Sequence, residues 1–181
     1  ASSFILNSLN VPNGNTYCYA VSQLVYDNLC ELRPELKNQL VLVTPALSKL
    51  WCGRHARKKI LSLEKSFSPD VIFTVFGPAY VRFRSPHVVG FARGWITHPN
   101  ASVKSTLRLS TKIYRLAVTT KECFFLEPNA YYIEESETAR VGMARNTPVP
   151  LAHISVIANT YAPPFSAGPT REAFADFEKQ R

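Results

Sequence analysis

Short, uninterrupted apolar runs separated by longer amphipathic stretches constrain this chain more than any other feature. The clearest runs are Leu40–Val43, Val71–Phe76 and Val88–Phe91. Strands that are apolar on both sides belong in a parallel sheet whose two faces are both covered. The stretches between them repeat apolar residues at helical spacing. The sequence therefore predicts an α/β fold, with a doubly wound, mainly parallel sheet flanked by helices.

Further strands and helices are predicted by the same periodicity. The other three strands are Phe4–Leu9, Tyr131–Glu135 and Ile154–Ile157. The predicted helices extend from a cap at Thr16 to Pro34, over Lys58–Phe67 and Ser102–Val118, and from a cap at Ser136. In a sheet of this kind ligands bind beyond the carboxyl ends of the strands. Functional residues are therefore expected in the segments that directly follow the strands.

The chain has 181 residues, which is about one domain. We expect residues 1–161 to form that domain and residues 162–181, which begin with a proline-rich stretch, to be a linker and the start of a further helix. The apolar runs are much shorter than the ~20 residues that span a bilayer, so a transmembrane protein is not expected. The four cysteines include no C-x-x-C pair, which argues against a zinc ribbon.

The formal charge of +8 is unevenly distributed. No acidic residue lies between Asp70 and Glu122, whereas basic residues recur throughout that interval. The two basic groups of interest are Arg54, Arg57, Lys58 and Lys59, and Lys104, Arg108, Lys112 and Arg115. Nucleic acid, an anionic membrane leaflet or a phosphorylated small molecule could each bind such a surface, and a solvated helix face accounts for it equally well.

Four segments occur in an order that resembles a known family. They are Ser68–Ile72, Pro86–Val89, Tyr132–Glu137 and Ile154–Thr160. Their order and spacing resemble the N-terminal half of a GT-B glycosyltransferase of the family-4 type, over nearly the whole chain. The resemblance implies one Rossmann-like lobe of a two-lobed enzyme. The acceptor would bind mainly to this lobe and the nucleotide to a C-terminal donor-binding domain that is absent here.

The activity implied by the resemblance is transfer of a sugar from a nucleotide-sugar to a glycan or lipid-linked acceptor, with retained anomeric configuration and without a metal or other cofactor. We expect the chain to be inactive alone and to act in the cytoplasm, on the inner face of the membrane. The alternatives are a nonenzymatic sugar- or nucleotide-binding module and a GT-B-like nucleotide-sugar epimerase. No nucleic acid is expected, because the basic residues are not interleaved with aromatics in a recognised binding element.

Site residues follow from the same resemblance and from the rule that ligands bind beyond the carboxyl ends of strands. The donor phosphate loop would be Asn13, Gly14 and Asn15. The acceptor would be bound by residues that follow the strands, namely Tyr80, Arg93, Trp95 and Glu135. The position that often holds a base in the family falls on Ala92 or Arg93, neither of which can take a proton at neutral pH. Either no base is required, or His98 on the same loop is the catalytic residue.

Membrane contact is assigned by the resemblance to the two basic groups defined above, because members that act on lipid-linked acceptors bind the cytoplasmic leaflet through basic, amphipathic surfaces of this domain. Several of the site residues are equally compatible with a purely structural role. His98 could be an ordinary loop residue, Arg93 could serve surface solubility, and Glu135 could stabilise the dipole of the following helix. Trp95 could stack on an acceptor sugar or pack in the core, and Gly14 could serve a simple turn.

Overall fold

The computed structural model describes residues 5, 14–44, 46–49, 51, 53–99 and 105–158. Within them, six strands form two parallel sheets that are flanked by helices. The α/β class and the parallel pairing are therefore confirmed. No helix of the described residues has both the length and the apolar character needed to cross a membrane.

The strands and helices alternate along most of the chain. The strands are β1 (Tyr19–Val21), β2 (Leu40–Leu42), β3 (Ile72–Thr74), β4 (His87–Gly90), β5 (Tyr131–Glu134) and β6 (Ile154–Val156). The α-helices are α1 (Gln23–Leu32), α2 (Arg54–Phe67), α3 (Gly94–Thr97), α4 (Leu109–Phe124) and α5 (Glu137–Asn146). Two 3₁₀ helices, Pro34–Gln39 and Leu151–His153, lead directly into β2 and β6.

The larger sheet has the order β3-β4-β5-β6, and β1 pairs with β2 in the smaller one. In the larger sheet Val88 of β4 lies opposite Tyr131 of β5, and Tyr132 lies opposite Ile154 of β6. Strand order follows chain order in both sheets, so the described residues include no point at which the order reverses. The doubly wound arrangement therefore stays a prediction.

The core of the larger sheet lies between the sheet and helix α5. Phe91 and Tyr132 meet edge to face with ring centroids 6.2 Å apart, and Met143 of α5 is fully buried beside them. Such an aromatic pair contributes about 0.5–1.5 kcal/mol beyond the area it buries. The Tyr132 hydroxyl also donates to the carbonyl of Glu127 and accepts from its N–H. Burial raises the pKa of Tyr132 to about 12.

The first helix begins later than predicted. Thr16 does not cap it; the chain instead forms β1, and α1 begins at Gln23 after Ser22. Residues Tyr19–Val21 pair in parallel with β2, with Tyr19 opposite Leu40, and the rings of Tyr17 and Tyr19 stack 5.8 Å apart along the extended segment. The predicted end of this helix is confirmed, since α1 stops at Leu32 and Pro34 begins a 3₁₀ helix.

Other predicted boundaries shift by a few residues. Strand β3 covers only Ile72–Thr74, and α4 begins at Leu109 and continues to Phe124. Helix α2 covers Arg54–Phe67, so the helix predicted at Lys58–Phe67 and the helical position predicted for Arg54 belong to one element. The strand predicted over residues 4–9 lies outside the described residues except for Ile5, which is helical and buried. The predicted linker, residues 162–181, also lies outside them.

Helix α5 packs closely against α3 at Gly142. A Cβ atom at this position would lie 1.9 Å from the carbonyl oxygen of Thr97, which is backbone and cannot rotate away. Asn146, one turn later, donates to the carbonyl of Ile96 and so holds the same two helices together. The absence of a side chain at Gly142 therefore fixes the position of α3.

We expect Gly142→Ala to lower the free energy of unfolding by about 1–3 kcal/mol, because the added methyl group must push α3 away from α5. Urea denaturation measures the change. Gly94→Ala is the matched control, since a Cβ there would meet nothing within 4 Å. Equal stability of both variants and the wild type would contradict the close packing of α3 on α5.

Candidate functional site

An open pocket of about 280 Å³ lies at the carboxyl ends of β4 and β5. Ligand pockets measure about 300–1,000 Å³, so this one suits a small ligand. It lies where parallel sheets generally bind ligands. The residues that line it are Ala92, Arg93, Gly94, Thr97, His98, Glu134, Glu135, Ser136 and Ala139.

Strand register brings the two walls of this pocket together. Gly90 at the end of β4 lies opposite Ile133 of β5, and the N–H of Phe91 donates to the Ile133 carbonyl at 2.9 Å. The residues that follow each strand therefore leave the sheet side by side. Ser136 then starts α5 by accepting a hydrogen bond from the N–H of Ala139, which confirms the predicted cap.

Three residues predicted for the site line this pocket together. Arg93 and His98 come from the segment after β4, and Glu135 comes from the segment after β5. The rule that places ligands beyond the carboxyl ends of strands selected all three from sequence. Trp95 and Tyr80 are not among the residues that line the pocket.

Glu134, the last residue of β5, is the functional candidate that the sequence analysis missed. Only 3% of its surface is exposed, and among the described residues its Oε1 atom has no hydrogen-bond partner. The signal was available, because strand side chains alternate and Glu134 must face the same side as the core residue Tyr132. Burial and, to a smaller extent, the charge of Glu135 raise the pKa of Glu134 to about 7.

The imidazole of His98 is held by its neighbour in the chain. Its Nδ1 atom lies 2.8 Å from the Thr97 hydroxyl, and that hydroxyl also donates to the carbonyl of Arg93 at 3.4 Å. In the tautomer that carries the proton on Nδ1, the ring donates to this hydroxyl and Nε2 has the lone pair. The exposed ring can therefore accept a proton or a hydrogen bond through Nε2.

Arginine side chains commonly bind anionic ligands, but Arg93 already pairs with a carboxylate of the protein. Its Nη2 atom pairs with Oε1 of Glu122, a buried residue of α4, at 3.0 Å. Tyr80 donates to the same carboxylate oxygen at 3.3 Å, and Lys121 lies over the Tyr80 ring. Burial raises the pKa of Tyr80, so the hydroxyl keeps its proton. Arg93 and Tyr80 thus share Glu122 and tie the pocket to α4.

Trp95 belongs to a second contact between the pocket segment and α4. The guanidinium carbon of Arg115 lies 3.5 Å from the centroid of the indole ring. This is a cation–π stack, which contributes about 0.5–1 kcal/mol where it is exposed. A residue predicted to bind the acceptor and a residue predicted to contact the membrane are therefore stacked on each other.

The predicted phosphate loop is not at the amino end of a helix. Gly14 and Asn15 precede strand β1, and α1 begins only at Gln23; Asn13 lies outside the described residues. Gly14 has a φ of +67°, which favours glycine, and a Cβ there would meet nothing within 4 Å. These observations suit a turn. The expected position at a helix terminus is wrong, because β1 intervenes, and phosphate binding by this glycine stays a prediction.

The first predicted basic group, on helix α2, is partly used within the fold. Arg57 donates to the carbonyls of Leu47 and Lys49, and Lys59 donates to the carbonyl of Leu42. Arg54 and Lys58, the other members of this group, are exposed.

The second basic group begins outside the described residues, at Lys104. Arg108 is the exposed N-cap of α4, and Lys112 on the same helix donates to the carbonyl of Ser105. Arg115, its last member, is held by the stack on Trp95. The basic charge therefore lies along two helices, α2 and α4, and about half of it is held by contacts within the protein.

A separate polar chain lies at the amino end of β4. His87 is buried, and its Nδ1 atom lies 3.3 Å from Oε1 of Glu127 while its Nε2 atom lies 2.9 Å from the Thr74 hydroxyl. Phe83 packs edge to face on the imidazole. None of these residues lines the pocket, and the arrangement holds β3 to β4. In the described part of the chain, no group of three His, Cys, Asp or Glu side chains is placed to hold a metal ion.

Comparisons of the chain with protein-family models, with curated proteins and with solved structures find no match in any of the three. The parallel sheet and its pocket are therefore the observations on which a proposal about function depends.

We expect stability to fall as pH rises from about 4.5 to about 7, because Glu134 ionises less readily in the folded chain than in the unfolded one. At about 1.4 kcal/mol per pKa unit, the loss is at most about 3.5 kcal/mol. Glu134→Gln removes the ionisation, so this variant should lose correspondingly less stability between about pH 5 and about pH 8.

Urea denaturation at the two pH values measures the difference. Arg93 and His98 from the β4 side and Glu135 from the β5 side are the charged or titratable neighbours of Glu134 in the pocket, and they stay unchanged in the variant. Glu31→Gln, which alters an exposed carboxylate on α1, is the control and should keep the wild-type dependence. Identical pH profiles for the wild type and Glu134→Gln would contradict the burial of this carboxyl.

Proposed function

We propose that this chain is the acceptor-side lobe of a glycosyltransferase that transfers a sugar from a nucleotide-sugar to a glycan or lipid-linked acceptor. The observation that carries the proposal is the pocket at the carboxyl ends of β4 and β5, because it gathers Arg93, His98 and Glu135. These are three of the residues that the resemblance to GT-B glycosyltransferases implies for the acceptor site. The parallel strand order of the larger sheet also supports it.

The chemistry of the pocket suits a hydroxyl-bearing ligand. Carboxyl groups, an imidazole and the Thr97 hydroxyl can all accept or donate hydrogen bonds to sugar hydroxyls. His98 would take the proton of the acceptor hydroxyl at Nε2 while Thr97 holds its Nδ1 atom. The acceptor oxygen would then bond to the anomeric carbon of the donor, and the nucleoside diphosphate would leave with the electron pair of the broken bond.

The second part of the proposal is contact with an anionic membrane surface on the cytoplasmic side. Helix α4 turns its apolar residues outwards: Leu109, Ile113 and Leu116 are 73%, 61% and 69% exposed and follow each other at i, i+4 and i+7. Lys112 lies on the same helix, beside this stripe. An apolar helix face flanked by basic residues is typical of helices that lie in a membrane interface.

The polar side of α4 faces the rest of the protein, which explains why its apolar residues face outwards. Glu122 is buried with Arg93 and Tyr80, and Arg115 stacks on Trp95. These polar contacts fix which side of the helix faces the sheet, so the apolar side is left outside. An exposed stripe of this kind marks an interaction surface.

A nonenzymatic sugar- or nucleotide-binding module is the alternative, with a GT-B-like nucleotide-sugar epimerase beside it. A nonenzymatic nucleotide-binding module that works without a second lobe would have to bind the whole nucleotide within this chain. The described part of the chain presents the predicted phosphate loop before a strand rather than at the start of a helix, where phosphate groups bind well. This placement argues against a phosphate site at this loop for both functions, so nucleotide binding by the chain alone is the observation that separates them.

We expect the 181-residue chain to show no measurable binding of UDP-sugars or GDP-sugars by isothermal titration calorimetry at millimolar ligand, because the proposal assigns the nucleotide to another lobe. Joining the chain to a donor-binding lobe should restore binding and transfer. Tight binding of a nucleotide-sugar by this chain alone would contradict the proposal and favour the nonenzymatic module.

We expect the chain to sediment with vesicles that contain phosphatidylserine and not with neutral phosphatidylcholine vesicles, and salt should weaken the binding. Ile113→Asp combined with Leu116→Asp should lower vesicle affinity by about tenfold or more, because two exposed apolar contacts are replaced by like-charged carboxylates. Leu24→Asp is the control, since Leu24 is 71% exposed on α1. Equal recovery of wild type and double variant in the supernatant would contradict membrane contact through α4.

A further inference from the structure

The carboxyl group of Glu134 presents a problem that the fold itself does not solve. It lies at the end of β5 with 3% of its surface exposed, yet it lines the pocket and its Oε1 atom has no partner among the described residues. An unsatisfied buried acceptor costs about 1–3 kcal/mol, and more when it is charged. Such a group in a pocket is a position at which a ligand can supply the missing hydrogen bond.

We propose that Glu134 is the hydrogen-bond partner of a hydroxyl group on an uncharged, sugar-sized ligand that occupies the pocket between β4 and β5. This inference rests on the proposed function, in which that ligand is the acceptor, and it names the chemical class of the acceptor at the contacted position. Glu134 acts here as a binding residue, and His98 keeps the role described above.

The charges around the pocket disfavour an anionic ligand. Arg93, the permanent cation of the lining, pairs with Glu122 at 3.0 Å. The amino end of α5 offers little to an anion, because the Ser136 side chain already accepts a hydrogen bond from the N–H of Ala139. The carboxylate of Glu137 also lies in the first turn of this helix. A phosphate or carboxylate entering the pocket would also meet Glu134 and Glu135, whose like charges repel it.

A hydroxyl also suits the pocket better than an ammonium group does. An ammonium only donates hydrogen bonds, and it would lie in a pocket that also contains the guanidinium of Arg93. A hydroxyl donates and accepts, so it can pair with a carboxylate or with a carboxylic acid. This matters because burial keeps part of the Glu134 population protonated near neutral pH.

Saturation-transfer NMR on the 181-residue chain tests the inference with three kinds of probe. The neutral probes are the methyl α-glycosides of glucose, galactose and mannose; glucose 6-phosphate is the anionic probe and glucosamine the cationic one. We expect the wild type to bind at least one methyl glycoside and to bind it more tightly than the two charged probes.

Two substitutions at Glu134 distinguish the contribution of its hydrogen bond to ligand binding from the contribution of its side-chain shape. Glu134→Met keeps the length of the side chain and removes its polar atoms, so it should weaken binding of that glycoside by about tenfold or more. Glu134→Gln keeps a hydrogen-bonding group and should stay within about threefold of the wild type. Both replace a buried carboxyl by an uncharged group, so folding is expected to be preserved, and the ¹⁵N–¹H spectrum verifies it. Glu31→Gln is the control on α1.

The outcomes are distinguishable. Equal glycoside binding by the wild type and a folded Glu134→Met variant would overturn the inference and leave the proposed function standing. Stronger binding of glucose 6-phosphate or glucosamine than of any methyl glycoside would also overturn the inference alone. Absence of saturation transfer to every neutral glycoside from the wild type would overturn both the inference and the assignment of the acceptor to this pocket.

Discussion

The parallel pairing of β4 with β5 is the constraint on which the rest of the structure depends. Its register sets Gly90 opposite Ile133 and is extended by one further hydrogen bond, from Phe91 to Ile133. The chain therefore leaves the two strands side by side, and the segments after them form the pocket. The same pairing buries Phe91 against Tyr132, so one set of contacts builds both the core and the site.

Helix α4 supports the pocket from the side through polar contacts. Glu122 holds Arg93, which belongs to the pocket wall, and Arg115 stacks on Trp95 of α3. Glu122 is buried whereas Arg93 is about half exposed, so loss of Arg93 would leave a buried carboxylate that still accepts from Tyr80 but has lost its charged partner. The orientation of α4 is thus set by its polar side. In the proposed function, the helix that faces the membrane is the one that positions the acceptor pocket.

Part of this arrangement was predictable from the sequence because it depends on local rules. The strands around Leu40 and Tyr132, the end of α1 before Pro34 and the cap at Ser136 follow from side-chain period, proline geometry and a hydroxyl at a helix start. The predicted site residues Arg93, His98 and Glu135 followed from the rule for the carboxyl ends of strands. Glu134 was missed because its type suggests solvent, although strand alternation places it inwards.

The sequence by itself determined the class of the fold, the approximate positions of strands β2 to β6 and the two segments that form the pocket, because apolar periodicity and turn residues act over a few neighbouring positions. The tertiary structure alone decided that Tyr19 starts a strand, that α4 turns its apolar side outwards and that Arg93 pairs with Glu122. These outcomes depend on contacts between residues far apart in the chain. The free energy of these contacts exceeds the intrinsic helix or strand propensity of the residues involved. No short stretch of sequence contains both residues of such a contact.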